Sequence, residues 1–225
     1  MRFPVSRSIE AVLLTTAVLS SAWAGGPLLI DHPVNEDTSG VWNPNVYRGL
    51  MLAMTVGQVG VALWEGGESR LGNTAWRGID SEIIGAVSTE ALKRVFTRAR
   101  PINGYDPNDF FAGGSNRGFP SGEAAEAASI VTPYMLEYGG DYPAVYALSI
   151  IPLYVGIGRM KAQAHWQSDV DNGKEMGAAT FARLHADAEF RDKIAAARVE
   201  VENAQRAGLK PAGDCSAEAA AISPK

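Results

Sequence analysis

Between residues 47 and 185 the chain keeps returning to apolar stretches at helical spacing, separated by glycine pairs or proline, and this pattern limits the fold most. Residues 47–64 are nearly continuous in Leu, Met, Val and Ala, with Arg48 and Gln58 as the strongly polar interruptions, and Glu65, Gly66 and Gly67 close the run. That composition predicts a largely buried helix. A second helix is predicted over 80–98: Ile83, Ile84, Val87, Ala91, Val95 and Phe96 recur at helical spacing, Asp80 or Ser81 can cap it, and Pro101 stops it. Ser121 is placed to cap a third helix running to Tyr138, where Gly139 and Gly140 end it. A fourth, strongly apolar helix is expected over 142–157 and a fifth over 165–185, where Gly173 and Gly177, four apart, permit close packing on a neighbour. No strand alternation persists and no repeat is visible. The expected architecture is an all-α, single-domain helical bundle.

The two ends read differently from this middle. Arg2 and Arg7 precede the apolar run 11–20, and Ala22, Trp23 and Ala24 form a small-x-small cleavage signal. Residues 1–24 are therefore expected to be a signal peptide, the run being too short to cross a hydrocarbon core that needs about 20 residues. Residues 25–45, with Pro27, Pro33, Gly40 and Pro44, read as an irregular arm over the surface of a helical domain spanning 46–207, and His32 as a loop histidine. Past Leu184, Phe190, Ile194, Ala197 and Val201 make a narrow apolar stripe among charges, an amphipathic surface helix on whose exposed face His185 would fall. Residues 208–225 carry no periodicity and are expected to be disordered. The net charge is −5, and losing the leader makes the chain one unit more acidic, which argues against nucleic acid as a partner. The single cysteine, Cys215, cannot form an intrachain disulfide, so packing must hold the fold.

Three clusters carry chemistry. Lys93 and Arg100 are seven apart, on one side of the predicted second helix, with Arg94 and Arg98 pointing elsewhere. Ser121 and Gly122 open the third helix, where backbone N–H groups and the helix dipole favour an anion. Arg159 precedes His165 by six residues, and Asp169 follows His165 by four, one helical turn, so the carboxylate can accept a hydrogen bond from one ring nitrogen and leave the other free. Arginine offers the forked, permanently charged donor set that grips phosphate oxygens in pairs. Between the first two clusters, 102–119 form a long Gly-, Asn- and Asp-rich loop with Tyr105, Phe110 and Phe111. Its Asp106, Asn108 and Asp109 read as turn chemistry rather than as a metal site, because the ligand set is incomplete and Pro107 interrupts it.

Taken together these clusters resemble the type 2 phosphatidic acid phosphatase and vanadium haloperoxidase superfamily. Its signature is Lys, six residues, Arg-Pro; then Pro-Ser-Gly-His; then Ser-Arg, five residues, His, three residues, Asp. This chain has Lys93, Arg100 and Pro101; Pro120, Ser121, Gly122 and Glu123; and Gly158, Arg159, His165 and Asp169. Two positions depart: Glu123 stands in place of histidine and Gly158 in place of serine. The match covers about residues 80–180.

The resemblance implies a phosphatase that needs no metal or other cofactor. In that scheme His165 attacks phosphorus and becomes a phosphohistidine, Asp169 fixes its tautomer, and Lys93, Arg100, Arg159, Ser121 and the Gly122 amide hold the phosphoryl oxygens. Glu123 falls at the general-acid position. A carboxylic acid can donate a proton, so the expectation is an exported acid phosphatase acting on phosphomonoesters or lipid-type (pyro)phosphates. The alternative is a weakened family member that binds a phosphorylated ligand without turnover. Haloperoxidase chemistry is a weaker option, the chain being short for it and lacking the second-block histidine. The expected partners are a phosphorylated small molecule or a lipid headgroup, with peripheral membrane contact compatible with the apolar runs, and the expected location is periplasmic or secreted. Oligomeric state is not readable.

Overall fold

The computed structural model describes residues 25–26, 29–104 and 106–186, together with residues 196, 199 and 203. The predicted leader, the tail beyond 208 and nearly all of the amphipathic stripe lie outside the described residues, as does the side chain of His185. Among the described residues five α-helices are delimited: α1 (Pro44–Glu65), α2 (Arg70–Phe96), α3 (Gly122–Tyr138), α4 (Ile150–Lys161) and α5 (Gln167–Ala186). Among the described residues there is no strand, only an isolated bridge between Gly25 and Asp31.

The third helix is the centre. Its buried residues run without a break from Ala127 to Pro133, after Ala124 and Ala125, so it is enclosed on all sides rather than along one stripe. The small side chains let its neighbours come close. On α5, a Cβ at Gly173 would stand 2.4 Å from the Ser121 carbonyl oxygen, and one at Gly177 would stand 2.2 Å from that of Ala125. Only glycine fits at these two points, which confirms the close approach read from their spacing and sets the register of α5 on α3.

The apolar run 47–64 behaves otherwise than predicted. It does form α1, capped by Asn43, but it buries a single stripe, Tyr47, Met51, Gln58 and Ala62. Leu52, Val56, Leu63 and Trp64 are exposed. The physical reason is geometric: α1 lies at the edge of the bundle, and one neighbour layer covers one face of a helix. The second helix begins ten residues earlier than expected, capped by Ser69, whose hydroxyl accepts from the Gly72 amide at 2.9 Å. It ends two residues earlier, at Phe96. There Thr97 takes a left-handed conformation (φ 37°) and turns the chain. The predicted fourth helix is split into a 3₁₀ segment, Pro143–Ser149, and α4.

The long loop is packed rather than loose. Phe96, Phe110, Phe111 and Phe119 form an aromatic cluster with centroids 5.2–6.3 Å apart. Asp106 Oδ1 accepts from the Asn108 amide at 2.8 Å, the turn geometry expected of that stretch.

Candidate active site

The site forms where the C-terminal end of α2, the N-terminal ends of α3 and α5, and the C-terminal end of α4 meet. The antiparallel pairing of α2 with α3 brings the last turn of one beside the first turn of the other. A Cβ on Gly122 would stand 3.2 Å from Lys93 Nζ, so this glycine leaves the ammonium room beside the helix start. Arg100 reaches the same place by a different route from the one predicted. It is not on the helix with Lys93, because the turn at Thr97 ends that helix. Arg100 sits on the extended segment beyond, anchored by Nη2 donating to the Arg117 carbonyl at 3.3 Å.

Arg159 enters from the last turn of α4 and is almost wholly buried; its Nη1 donates to the Tyr47 hydroxyl at 3.3 Å. The departure at Gly158 has its cause in the same contact. A Cβ there would stand 2.9 Å from the Tyr47 ring, so the tyrosine supplied by α1 occupies the space a serine would need.

His165 precedes α5 instead of starting it, and its hydrogen bond differs from the predicted one. Nδ1 lies 2.6 Å from the Gly118 carbonyl oxygen and 3.8 Å from Asp169 Oδ2. A carbonyl only accepts, so Nδ1 carries the proton and Nε2 keeps its lone pair. Asp169 has other bonds to make. Its Oδ2 accepts from the Trp166 amide at 2.8 Å, reaching back over the first turn of α5, and its other oxygen is paired with Arg98. Burial pushes the His165 pKa below the ordinary imidazole value, opposed by Asp169, so the ring is held neutral near neutrality.

Arg98, expected to point elsewhere, is fully buried behind this histidine. It pairs with Asp169 and with Asp31 (2.6 Å), donates to Ser168 Oγ at 2.7 Å, and lies over the Phe110 ring at 4.5 Å. Asp31 is equally buried and accepts from the Ser168 amide at 2.8 Å, so the N-terminal arm caps α5 instead of merely crossing the surface. No local signal in the sequence marks Asp31 or Arg98 for these roles, since their partners are 137 and 71 residues away.

Ser121 stands at the N-cap of α3 as predicted, yet its hydroxyl caps nothing. It is fully buried and has no hydrogen-bond partner among the described residues. Glu123, in the first turn, pairs with Arg159 and, at 2.8 Å, with Arg48 of α1. Both arginines therefore hold a carboxylate at the position where the related signature has a histidine.

Lys93, Arg100, Gly122, Glu123, Arg159 and His165 line one cavity of about 530 Å³. Burial lowers the pKa of Lys93, with Arg100 adding to the effect, and burial together with Arg159 lowers that of Arg100. Three mutually repelling cations thus share one enclosure. The far wall carries Glu82, Ile83 and Glu126. Burial raises the pKa of both carboxylates, and each has a neighbouring acid that adds to the rise.

Among the described residues an all-helical core gathers three cations and an imidazole around one cavity, an arrangement suited to receiving a phosphate-bearing group. The family model described as the PAP2 superfamily matches residues 79–192, just over half of the chain, and the chain belongs to that superfamily. Among curated proteins and among solved structures, none matches the chain significantly.

Proposed function

We propose that this protein hydrolyses phosphomonoesters or lipid-type (pyro)phosphates through a covalent intermediate on His165. The observation that carries the reading is the convergence of Lys93, Arg100, Arg159 and the free Nε2 edge of His165 on one cavity. Beyond the attacking imidazole, phosphoryl transfer depends on positioning and charge stabilisation, and those are what three cations and a helix N-terminus supply. Gly122, at the first turn of α3, lines the same cavity and adds a backbone donor for the anion, whereas Ser121, just before it, is wholly buried and does not line the cavity.

In the first step the Nε2 lone pair forms the N–P bond as the ester P–O bond breaks, and the leaving oxygen takes a proton from a general acid. As the ring becomes cationic it stays bound to the Gly118 carbonyl through Nδ1–H, with the Asp169 carboxylate 3.8 Å away to balance the charge. In the second, the conjugate base of that acid takes a proton from water as the water oxygen attacks phosphorus, the N–P bond breaks, and His165 returns to its neutral form with the acid regenerated. Glu123 is the acid best placed for the first step. Arriving phosphate competes with it for Arg159, which releases one of its two ion pairs.

The double ion pair of Glu123 favours the alternative as well, a protein that binds a phosphorylated ligand without turning it over. One experiment separates them. Incubation with ³²P-labelled aryl phosphate followed by alkaline quench is expected to trap label on the chain and none on His165→Ala. Unlabelled native protein, at concentrations where the phosphate ester is bound, overturns the enzyme reading.

Export and a lipid-facing substrate are part of the same proposal. The leader-like residues 1–24 support the first, and N-terminal sequencing of the secreted product beginning near Gly25 would test it. The exposed apolar residues of α1 support peripheral contact with a lipid surface, and co-sedimentation with vesicles would test that.

A further inference from the structure

Glu123 stands at the cavity as an anion among its cations, and both members of its ion pair with Arg159 are held from one short stretch of α1. Arg159 Nη1 donates to the Tyr47 hydroxyl at 3.3 Å, and Glu123 Oε1 accepts from Arg48 Nε at 2.8 Å. Tyr47 and Arg48 are consecutive near the start of α1. The oxygens of Glu123 are divided: Oε2 faces Arg159 and Oε1 faces Arg48. Arg159 is a nearly buried charge, its side chain 8% exposed, so it needs an anion at every stage. An arriving phosphate can replace the carboxylate there, but Glu123 then needs another cation. Arg48, half exposed and absent from the cavity wall, meets that need without binding the phosphate itself. It also lies outside residues 79–192, which carry the superfamily match, and Glu123 departs from the related signature, so neither half of this pair is part of the shared motif.

We propose that Arg48 is the positioning residue for Glu123: it retains the carboxylate when phosphate takes Arg159, so that Glu123 moves off the phosphate site yet stays beside it. The arrival of phosphate rests on the phosphatase reading; the sharing of one carboxylate between two arginines does not. In the empty site Glu123 bridges both arginines, and Arg159 keeps an anion. In the loaded site Arg159 turns to phosphate and Glu123 keeps Arg48, so no buried charge is left without a partner. Removing Arg48 leaves Glu123 with Arg159 alone, and phosphate must then displace a carboxylate that has no second cation to receive it. Exposed ion pairs contribute little to stability, so loss of the Arg48 pair should show in ligand binding rather than in folding.

The test is a double-mutant cycle read by calorimetric binding of inorganic phosphate to the whole protein, with turnover of an aryl phosphate recorded separately. Arg48→Gln is expected to weaken phosphate binding about fivefold or more, and Arg48→Lys, which keeps the cation, to restore most of it. In the Glu123→Gln background, Arg48→Gln is expected to alter binding by less than about twofold, because no carboxylate then needs holding. An equal loss in both backgrounds means that Arg48 attracts phosphate by its charge alone and overturns the positioning role, as does unchanged binding in Arg48→Gln. Coupling between the two residues without turnover retains the role and overturns the phosphatase reading. Turnover without coupling does the reverse, and the absence of both overturns both.

Discussion

The Gly118 carbonyl oxygen stands 2.6 Å from His165 Nδ1, closer than the Asp169 carboxylate that the sequence spacing pairs with this histidine. The loop before the cis Phe119–Pro120 bond therefore chooses the tautomer, and Asp169 acts on the ring as a nearby charge. This division of labour gives His165 a lone pair on the cavity side without requiring the aspartate to leave Arg98.

The first prediction concerns pH. Because burial lowers the His165 pKa, the ring loses its lone pair only at pH values below the ordinary imidazole range of about 6.5. The acidic limb of kcat/KM is expected below that value, where Nε2 becomes protonated and attack stops. Titration of His165 by NMR, assigned with His165→Gln, should give the same midpoint. A midpoint above 6.5 contradicts the assignment.

A second prediction follows from Arg98. Replacing it by Met leaves Asp31 and Asp169 buried without their common cation, which costs about 3–5 kcal/mol. Denaturant unfolding should register that loss. Arg94→Met, at an exposed one-turn pair with Glu90, should change stability by no more than about 0.5 kcal/mol. Asp31→Asn combined with Arg98→Met should cost clearly less than the sum of the two single changes, because both remove the same pair.

Restoring the serine of the related signature should harm this chain. Gly158→Ser drives a Cβ into the Tyr47 ring and is expected to destabilise by about 1–3 kcal/mol. Pairing it with Tyr47→Leu removes the obstructing ring, so the double variant should be more stable than the sum of the two single changes predicts. Thermal unfolding of the four proteins checks this.

Glu123 supplies the fourth. If it protonates the leaving oxygen, Glu123→Gln should slow alkyl phosphates by roughly 100- to 10,000-fold while aryl phosphates, whose leaving groups need no proton, fall far less. The same change weakens the hold on Arg159, so inorganic phosphate should inhibit the variant more tightly than the native protein. Equal losses on both ester types would remove Glu123 from the proton transfer.

How far the sequence could lead is visible in these residues. Helical spacing announced the five helices of the described core and the close packing that Gly173 and Gly177 permit, because both are periodic and local. The three signature blocks named Lys93, Arg100, Ser121, Gly122, Arg159 and His165, and all lie at the meeting of the same helix ends in the fold. What escaped was non-local. The burial of Arg98 and Asp31, the carbonyl that holds His165, the ring that excludes a side chain at Gly158, and the exposure of α1 all depend on partners tens of residues away or on which element occupies the edge of the bundle. A sequence by itself determines period, caps and breaks, since these arise within one or two turns. Which polar groups must share a buried partner is decided only when the tertiary structure removes them from water, where an unpaired charge is too costly to leave.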